Sequence, residues 1–259
     1  MDIHLKASPR AALKTFSETT GLPVPPLGAG ESFVALARVA DLALQPGFDL
    51  ALPEAEEARI ARLLKADDRA ARRAAWRLAR LLLGAVLGCP PAAVAVTRAL
   101  NGRPRLDGAG EEYRDLDFNL AHCADAVAVG LARGGRIGVD VEDPRPLDVW
   151  TDIARDMFDP ADHAAWRAAP KEARAAAALA VWCGKEAVLK ATGEGLAGDP
   201  RTVRLFPAGA PAVFARGGRR LLVAAGTQLA PTGFAYAVES DRPPHIVVLT
   251  SDGWRSAAP

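Results

Sequence analysis

Residues 136–142 read Arg-Ile-Gly-Val-Asp-Val-Glu. Side chains alternate between the two faces of a β-strand, so a strand here puts Asp140 and Glu142 on one face and Val139 and Val141 on the other. Two carboxylates about 7 Å apart along a strand repel each other unless a cation lies between them. Hard divalent ions, Mg²⁺ above all, take oxygen ligands of this kind. Taken alone, however, Asp-x-Glu is more typical of two solvated acids at a strand end.

The patterns on both sides of this strand predict an α+β fold of two similar-sized lobes. The Ala-, Leu-, Arg- and Glu-rich stretch 53–87 is typical of helix, with a break at Asp67-Asp68. The pattern restarts after 143–149, so we expect an N-terminal lobe at 1–148 and a C-terminal lobe at 149–259. The remaining predictions are strands at 31–40, 92–100, 117–122, 126–133, 202–206, 211–215, 219–225, 234–239 and 245–250, and helices at 149–157, 160–168 and 171–193.

Composition excludes several classes of protein. The chain has 259 residues, half of them apolar, with 32 basic and 31 acidic residues and a net charge of +1. This balance argues against a nucleic-acid or membrane partner. Residues 1–16 lack the apolar core of a signal peptide, and the longest apolar stretch, 81–96, is broken by glycine and proline. Three cysteines without a Cys-x-x-Cys pair favour a reducing, cytoplasmic setting.

A second cluster lies in the predicted helix at 171–193. Glu186 and Lys190 are four residues apart and share a helix face at the rim of an apolar arc. Lys185 falls within that arc, which suits a lysine that reaches past packed side chains into a cleft. The alternative is an ordinary surface Glu–Lys pair.

A third cluster is basic. Arg69, Arg73, Arg77 and Arg80 share one face if 69–83 is a helix. Arginine forks match phosphate oxygens, so this face could cradle phosphate, but a solvated arginine face is the alternative.

Taken in order, these stretches resemble the 4′-phosphopantetheinyl transferase superfamily, in particular its larger, monomeric surfactin-synthetase-activator type. The resemblance covers about 65–196, half of the chain. The family pattern is roughly Gly-Lys/Arg-Pro, Phe-Asn-x-Ser-His-Ser, Gly-x-Asp-x-Glu, and Trp-x-x-Lys-Glu-Ala-x-x-Lys followed by Gly-x-Gly-Leu. The matching stretches are NGRPRL (101–106), FNLAHC (118–123), GVDVE (138–142) and WCGKEAVLKATGEGL (182–196).

The resemblance implies the transfer of phosphopantetheine from coenzyme A to a serine of an acyl or peptidyl carrier protein, with release of 3′,5′-ADP. It implies two α+β lobes related by a pseudo-twofold axis, with the site between them. By position, Glu186 and Lys190 match the catalytic residues. The implied Mg²⁺ ligands are Asp140, Glu142 and Glu186, and the implied coenzyme-binding residues are Arg103, His122, Lys185, Lys190 and either Arg72 or Arg73.

The chain departs from the family pattern at Ala121-His122-Cys123, where the family has Ser-His-Ser. Losing two hydroxyls removes hydrogen bonds to the coenzyme worth about 1 kcal/mol each. This leaves open a non-catalytic relative that binds coenzyme A or a carrier protein. A nucleic-acid-binding module built on the arginine-rich helix is a further alternative, which the neutral charge disfavours.

Overall fold

The structure, a computed structural model, describes residues 21, 22, 24, 27–108, 110–205 and 212–258. Runs of helices and runs of strands follow one another along it, which confirms the predicted α+β class. None of the described helices is long and apolar enough to cross a bilayer. The helices of this part are α1 (Val39–Ala43), α2 (Glu54–Ala61), α3 (Ala66–Leu87), α4 (Leu147–Met157), α5 (Pro160–Ala168) and α6 (Arg174–Thr192). Its strands are β1 (Ser32–Arg38), β2 (Val96–Arg98), β3 (Pro104–Leu106), β4 (Leu116–His122), β5 (Ala126–Arg133), β6 (Ile137–Glu142), β7 (Ala212–Arg216), β8 (Arg219–Gly226), β9 (Gly233–Val238), β10 (His245–Thr250) and β11 (Gly253–Ala257).

The first sheet has the strand order β11-β10-β1-β5-β4, with β1 parallel to β10 and antiparallel to β5. Nearly every residue of β1 and β5 is buried, because both faces of this sheet are covered. Phe33 and Ala35 face a core that includes Trp76 of α3. Val34 and Leu36 face a core shared with the second sheet.

The second sheet is antiparallel, with the order β6-β9-β8-β7. Val139 and Val141 of β6 point towards the first sheet. On the opposite face, Ala235 and Ala237 of β9 pack in a core with Val188 of α6. The layers are therefore α3, the first sheet, the second sheet and α6, and the predicted metal-binding strand lies between the second sheet's two cores.

Strand pairing in both sheets joins residues from the two sides of the predicted lobe boundary between 148 and 149. β6 precedes this position but pairs with β9, whereas β10 and β11 follow it but extend the first sheet. The parallel pairing of β1 with β10 requires a crossover connection, which here runs through the whole second sheet. The lobes at 1–148 and 149–259 stay a prediction.

Several predicted elements differ in position. The strand predicted at 92–100 is shorter, because Pro91–Ala93 form a 3₁₀ turn and β2 spans only Val96–Arg98. The break in 53–87 lies between α2 and α3, and Asp67-Asp68 follow it in the first turn of α3, where a helix N-terminus favours carboxylates. The strand predicted at 202–206 is wrong for its described residues, since Pro200–Thr202 form a 3₁₀ turn that Asp199 caps. Residues 206–211, like 1–20, lie outside the described residues.

Candidate functional site

Helix α6 lies directly on β6 because Gly138 has no side chain. A Cβ on Gly138 would lie 2.0 Å from the carbonyl oxygen of Ala187 and 2.6 Å from the amide nitrogen of Ala191. Both atoms belong to the backbone of α6, which cannot give way as a flexible side chain could. Asp140, on the same face of β6, consequently lies against α6, in contact with Lys190.

Asp140, Glu186 and Lys190 form a partly buried charged group. Asp140 Oδ1 accepts a hydrogen bond of 2.6 Å from Lys190 Nζ. Burial raises the pKa of Asp140, and Glu142 raises it further, against the lowering effect of Lys190. Burial also raises the pKa of Glu186, to which the charge of Asp140 adds. Burial alone lowers the pKa of Lys190, but Asp140 and Glu186 outweigh it, so this pKa is raised.

Glu142 is the last residue of β6, and its side chain is 21% exposed. Its carboxylate pairs with Arg145 at 3.0 Å and accepts a hydrogen bond of 3.0 Å from the backbone amide of Asp143. The Arg145 side chain is 43% exposed, and pairs of this exposed kind contribute little to stability. Glu142 is therefore accessible to a cation that approaches from solvent.

The three carboxylates fit a magnesium ion by their chemistry. No group of three or more His, Cys, Asp or Glu side chains in the described residues is close enough to hold a metal ion by itself. Mg²⁺ does not require such a cage, since proteins bind it through one or two carboxylates together with substrate phosphates and water. Asp140, Glu142 and Glu186 supply hard oxygen donors, and a divalent cation would relieve their mutual repulsion.

A cavity of about 250 Å³ adjoins this group and shares Lys190 with it. Four of its side chains carry or can carry positive charge, which suits a ligand with several phosphate groups. The residues that line it are Arg72, Trp76, Arg98, Pro104, Leu120, Ala121, His122 and Lys190.

His122 lies in this cavity at the end of β4, as the resemblance predicts for a phosphate-binding histidine. Burial, followed by the charges of Arg72 and Lys190, lowers its pKa to about 4. At neutral pH the ring is consequently uncharged. A phosphate bound beside it would favour the protonated form and reverse part of this shift.

The choice between Arg72 and Arg73 depends on the rotation of α3. Arg72 lines the cavity, and burial, together with the charge of Arg98, lowers its pKa. Arg73, 100° further round the helix, forms an ion pair of 2.8 Å with Glu57 of α2. The structure therefore brings Arg72 to the cavity and leaves Arg73 outside it.

Arg98 and Trp76 were not predicted as site residues. The Arg98 guanidinium lies 5.3 Å from the centroid of the Trp76 ring and donates hydrogen bonds of 3.1 and 3.2 Å to Glu56. The turn predicted at 101–104 is the sequence signal from which Arg98 could have been identified. A hairpin closed by this turn pairs Arg98 with Pro104, next to the basic residue of the family motif.

The prediction that Lys185 binds the coenzyme is corrected, because its ammonium group is satisfied elsewhere. Lys185 is 0% exposed and Asp162 of α5 is 1% exposed. Lys185 Nζ donates to Asp162 Oδ2 at 2.8 Å, to the carbonyl of Pro200 at 3.1 Å and to the carbonyl of Val203. An ammonium group has three donors, so none is left for a ligand.

Arg103 does not line this cavity, and its predicted contact with the coenzyme stays a prediction. Its side chain is 6% exposed and pairs with Asp117 at 2.6 Å. Its neighbour Pro104 lines the cavity instead.

The arginine-rich face of α3 neither cradles phosphate nor is freely solvated. Arg80 Nη1 donates to the carbonyl of Val94 at 2.9 Å, Arg77 Nε to that of Leu50 at 2.9 Å, and Arg69 Nη1 to that of Leu63 at 2.8 Å. These arginines tie the surrounding loops to α3 through backbone carbonyls.

Of the three cysteines, Cys123 and Cys183 are buried. Burial, with a hydrogen bond to Asp143, raises the pKa of Cys123 to about 12. Burial, with the charge of Asp140, raises the pKa of Cys183 well above its usual value. Neither thiol forms the thiolate that a nucleophile requires.

Two family models match the chain in succession. Residues 48–132 match the N-terminal region of 4′-phosphopantetheinyl transferases, and residues 136–238 match the 4′-phosphopantetheinyl transferase superfamily. The second match contains Asp140, Glu142 and Glu186, and the first contains Arg72, Arg98 and His122.

Curated proteins with similar sequences include several transferases. A Synechocystis sp. protein is 34% identical over 159 residues, which are 61% of this chain and 63% of that protein. The 4′-phosphopantetheinyl transferase AcpT of Salmonella typhimurium is 34% identical over 122 residues, 47% of this chain and 60% of that protein. The 4′-phosphopantetheinyl transferase HetI of Nostoc sp. is 32% identical over 120 residues, 46% of this chain and 49% of that protein. The chain thus spans less than two thirds of the length of these relatives.

A solved structure, the holo-[acyl-carrier-protein] synthase of Thermotoga maritima, aligns with 48% of this chain and 82% of that chain at 16% identity. Its TM-score of 0.28 is too low to carry an argument.

Proposed function

The chain belongs to the 4′-phosphopantetheinyl transferase superfamily, and from this premise we propose that it transfers phosphopantetheine from coenzyme A to a serine of a carrier protein. One observation carries the proposal. Lys190 pairs with Asp140. It also lines a cavity with three further basic side chains. A phosphate-rich donor and the acceptor hydroxyl can therefore meet at one place.

The coenzyme's phosphates would lie in the cavity. Arg72 and Arg98 offer guanidinium donors, which pair with phosphate oxygens in a forked geometry. His122 adds a ring nitrogen, and a bound phosphate would favour the protonated form of this ring. The ring of Trp76 forms an apolar wall of the same cavity.

Asp140, Glu142 and Glu186 are the residues that would hold a divalent cation, which we propose to be Mg²⁺. When bound, such an ion neutralises the charge of a pyrophosphate group. The Asp140–Lys190 ion pair keeps Asp140 compensated in its absence.

Glu186 is the proposed general base. Burial raises its pKa, which makes its carboxylate a stronger acceptor for the proton of the serine hydroxyl. The serine oxygen then forms a bond to the β-phosphorus of coenzyme A. The bond from that phosphorus to the bridging oxygen breaks, and its electron pair leaves with 3′,5′-ADP. Lys190 is placed to offset the charge that develops on this leaving group.

The partners in this proposal are coenzyme A and an acyl or peptidyl carrier protein. We further propose a surfactin-synthetase-activator type of enzyme that acts as a monomer in the cytoplasm, without nucleic-acid or membrane partners. The near-balanced charge of the chain supports the last point.

The test is intact-mass spectrometry of apo carrier proteins incubated with this protein, coenzyme A and Mg²⁺, with and without EDTA. We expect a mass gain of one phosphopantetheinyl group that EDTA abolishes. Asp140→Asn and Glu186→Gln should each reduce the rate at least about 100-fold. Glu111→Gln, at a side chain that is 87% exposed, is the matched control.

Two results would count against the proposal. Wild-type rates in both variants would refute the assigned carboxylates. No mass gain with any acyl or peptidyl carrier protein, together with calorimetric binding of coenzyme A, would identify the non-catalytic relative instead.

A further inference from the structure

One edge of β6 pairs with β9, and its other edge is held by side chains of β4. Asp117 Oδ2 accepts a hydrogen bond of 2.9 Å from the amide of Ile137, and Asn119 Oδ1 accepts one of 2.9 Å from the amide of Val139. Both acceptors lie on one face of β4, two residues apart, and match alternate amides of β6. The first sheet thus fixes the position of the strand that carries Asp140.

Arg103 connects this edge to α6. Its Nη2 donates to Asp117 Oδ2 at 2.6 Å and to the carbonyl of Ile137 at 2.8 Å. Its Nη1 donates to the carbonyl of Lys190. One nearly buried guanidinium therefore contacts β4, β6 and the last turn of α6.

These contacts involve the backbone of the elements that form the site. Ile137 begins the strand of Asp140 and Glu142, and Lys190 belongs to the helix of Glu186. Asp117 balances the Arg103 charge where solvent does not, because their side chains are only 12% and 6% exposed. Removing either partner leaves the other charge buried without compensation.

We infer that Arg103 and Asp117 are positioning residues that hold β6 and α6 in register at the site, and that Arg103 does not bind the coenzyme. This inference rests on the proposed function for its effect on rate. It differs from a ligand role in a testable way, because a carboxylate at position 117 would repel phosphate groups. If Arg103 binds the coenzyme, substitution of Asp117 need not have the same effect as substitution of Arg103. If the two residues position β6 and α6, both substitutions must have the same effect.

The experiment compares Arg103→Met, Asp117→Asn and the double variant with Arg136→Met. Arg136 is the matched control, since it pairs with the other oxygen of Asp117 at 3.2 Å and is more exposed. A displacement of about 1 Å at the site costs about 100-fold in rate, so we expect kcat to fall by this order in Arg103→Met and Asp117→Asn. The KM for coenzyme A should change less than twofold, and the double variant should be no slower than the slower single variant. Arg136→Met should keep its kcat.

Hydrogen exchange provides a readout without turnover. The amides of Ile137 and Val139 should exchange faster in Arg103→Met and Asp117→Asn than in the wild type, and unchanged in Arg136→Met. If Arg103→Met does not fold, Arg103→Lys replaces it, because an ammonium group keeps the charge without the planar fork.

A raised KM in Arg103→Met with a normal kcat in Asp117→Asn would overturn the inference and assign Arg103 to the coenzyme. Unchanged exchange at both amides would overturn it as well. If the wild type transfers nothing, the proposed function fails, while the exchange data still decide whether Arg103 and Asp117 hold β6 in position.

Discussion

Replacing Gly138 with alanine should slow transfer sharply, although residue 138 touches neither the cavity nor the carboxylates. The distance between the new Cβ and the carbonyl oxygen of Ala187 must open from 2.0 Å to at least 3.4 Å for an ordinary contact. Because the obstructing atoms are backbone atoms, all of α6 has to move away from β6. Glu186 and Lys190 move with it, away from Asp140.

The magnitude follows from this displacement. Overpacking of this kind costs about 1–3 kcal/mol in the free energy of unfolding. Displacing catalytic groups by about 1 Å costs about 100-fold in rate. We therefore expect Gly138→Ala to fold with a lower melting temperature and to retain about 1% of the wild-type kcat.

The assay is the initial rate of holo-carrier formation by intact-mass spectrometry, with thermal unfolding of the same samples. Gly110→Ala is the control, since Gly110 has an ordinary φ of −53° and nothing within 4 Å of its Cβ position. A Gly138→Ala protein with wild-type rate and stability would show that α6 does not lie on β6 in this way, and the argument for the site geometry would fail.

Three further predictions concern the cavity and the buried ion pair. Arg72→Ala should raise the KM for coenzyme A at least about 10-fold through the loss of a charge-assisted hydrogen bond, whereas Arg73→Ala should not, as steady-state kinetics would show. His122 has a folded pKa of about 4 against 6.5 unfolded, so the unfolded chain binds the proton more tightly and stability falls as pH drops below 6.5. Between pH 7.5 and 5 this loss is at most about 2 kcal/mol in urea titrations, and His122→Gln should lack it. Lys185→Met should cost about 3–5 kcal/mol of stability because it breaks a buried ion pair with Asp162, with an unchanged KM for coenzyme A; a raised KM would assign Lys185 to the coenzyme.

Local patterns were enough to predict the α+β class and the elements that carry the carboxylates. Alternation along 136–142 identifies β6 and the common face of Asp140 and Glu142. The four-residue spacing of Glu186 and Lys190 places them on one face of α6. These inferences succeed because strand and helix periodicity is a property of the backbone alone.

Ion pairs between residues distant in sequence determine where the charged side chains of the motifs point. Lys185 and Arg103 carry the charge of coenzyme ligands in their motifs, but Asp162 and Asp117 bind them elsewhere. An ion pair between residues far apart depends on which surfaces pack together, and no local pattern records this.

The sequence by itself determined the α+β class, the strand and helix of the candidate site, and the residues that match the family motifs. Only the tertiary structure decided that Arg72 rather than Arg73 lines the cavity, that Arg98 and Trp76 join it, and that the last two strands return to the first sheet. The physical reason is the range of the interactions. Backbone geometry acts over a few residues, whereas the rotation of α3 and the order of the sheet are set by which apolar faces bury one another.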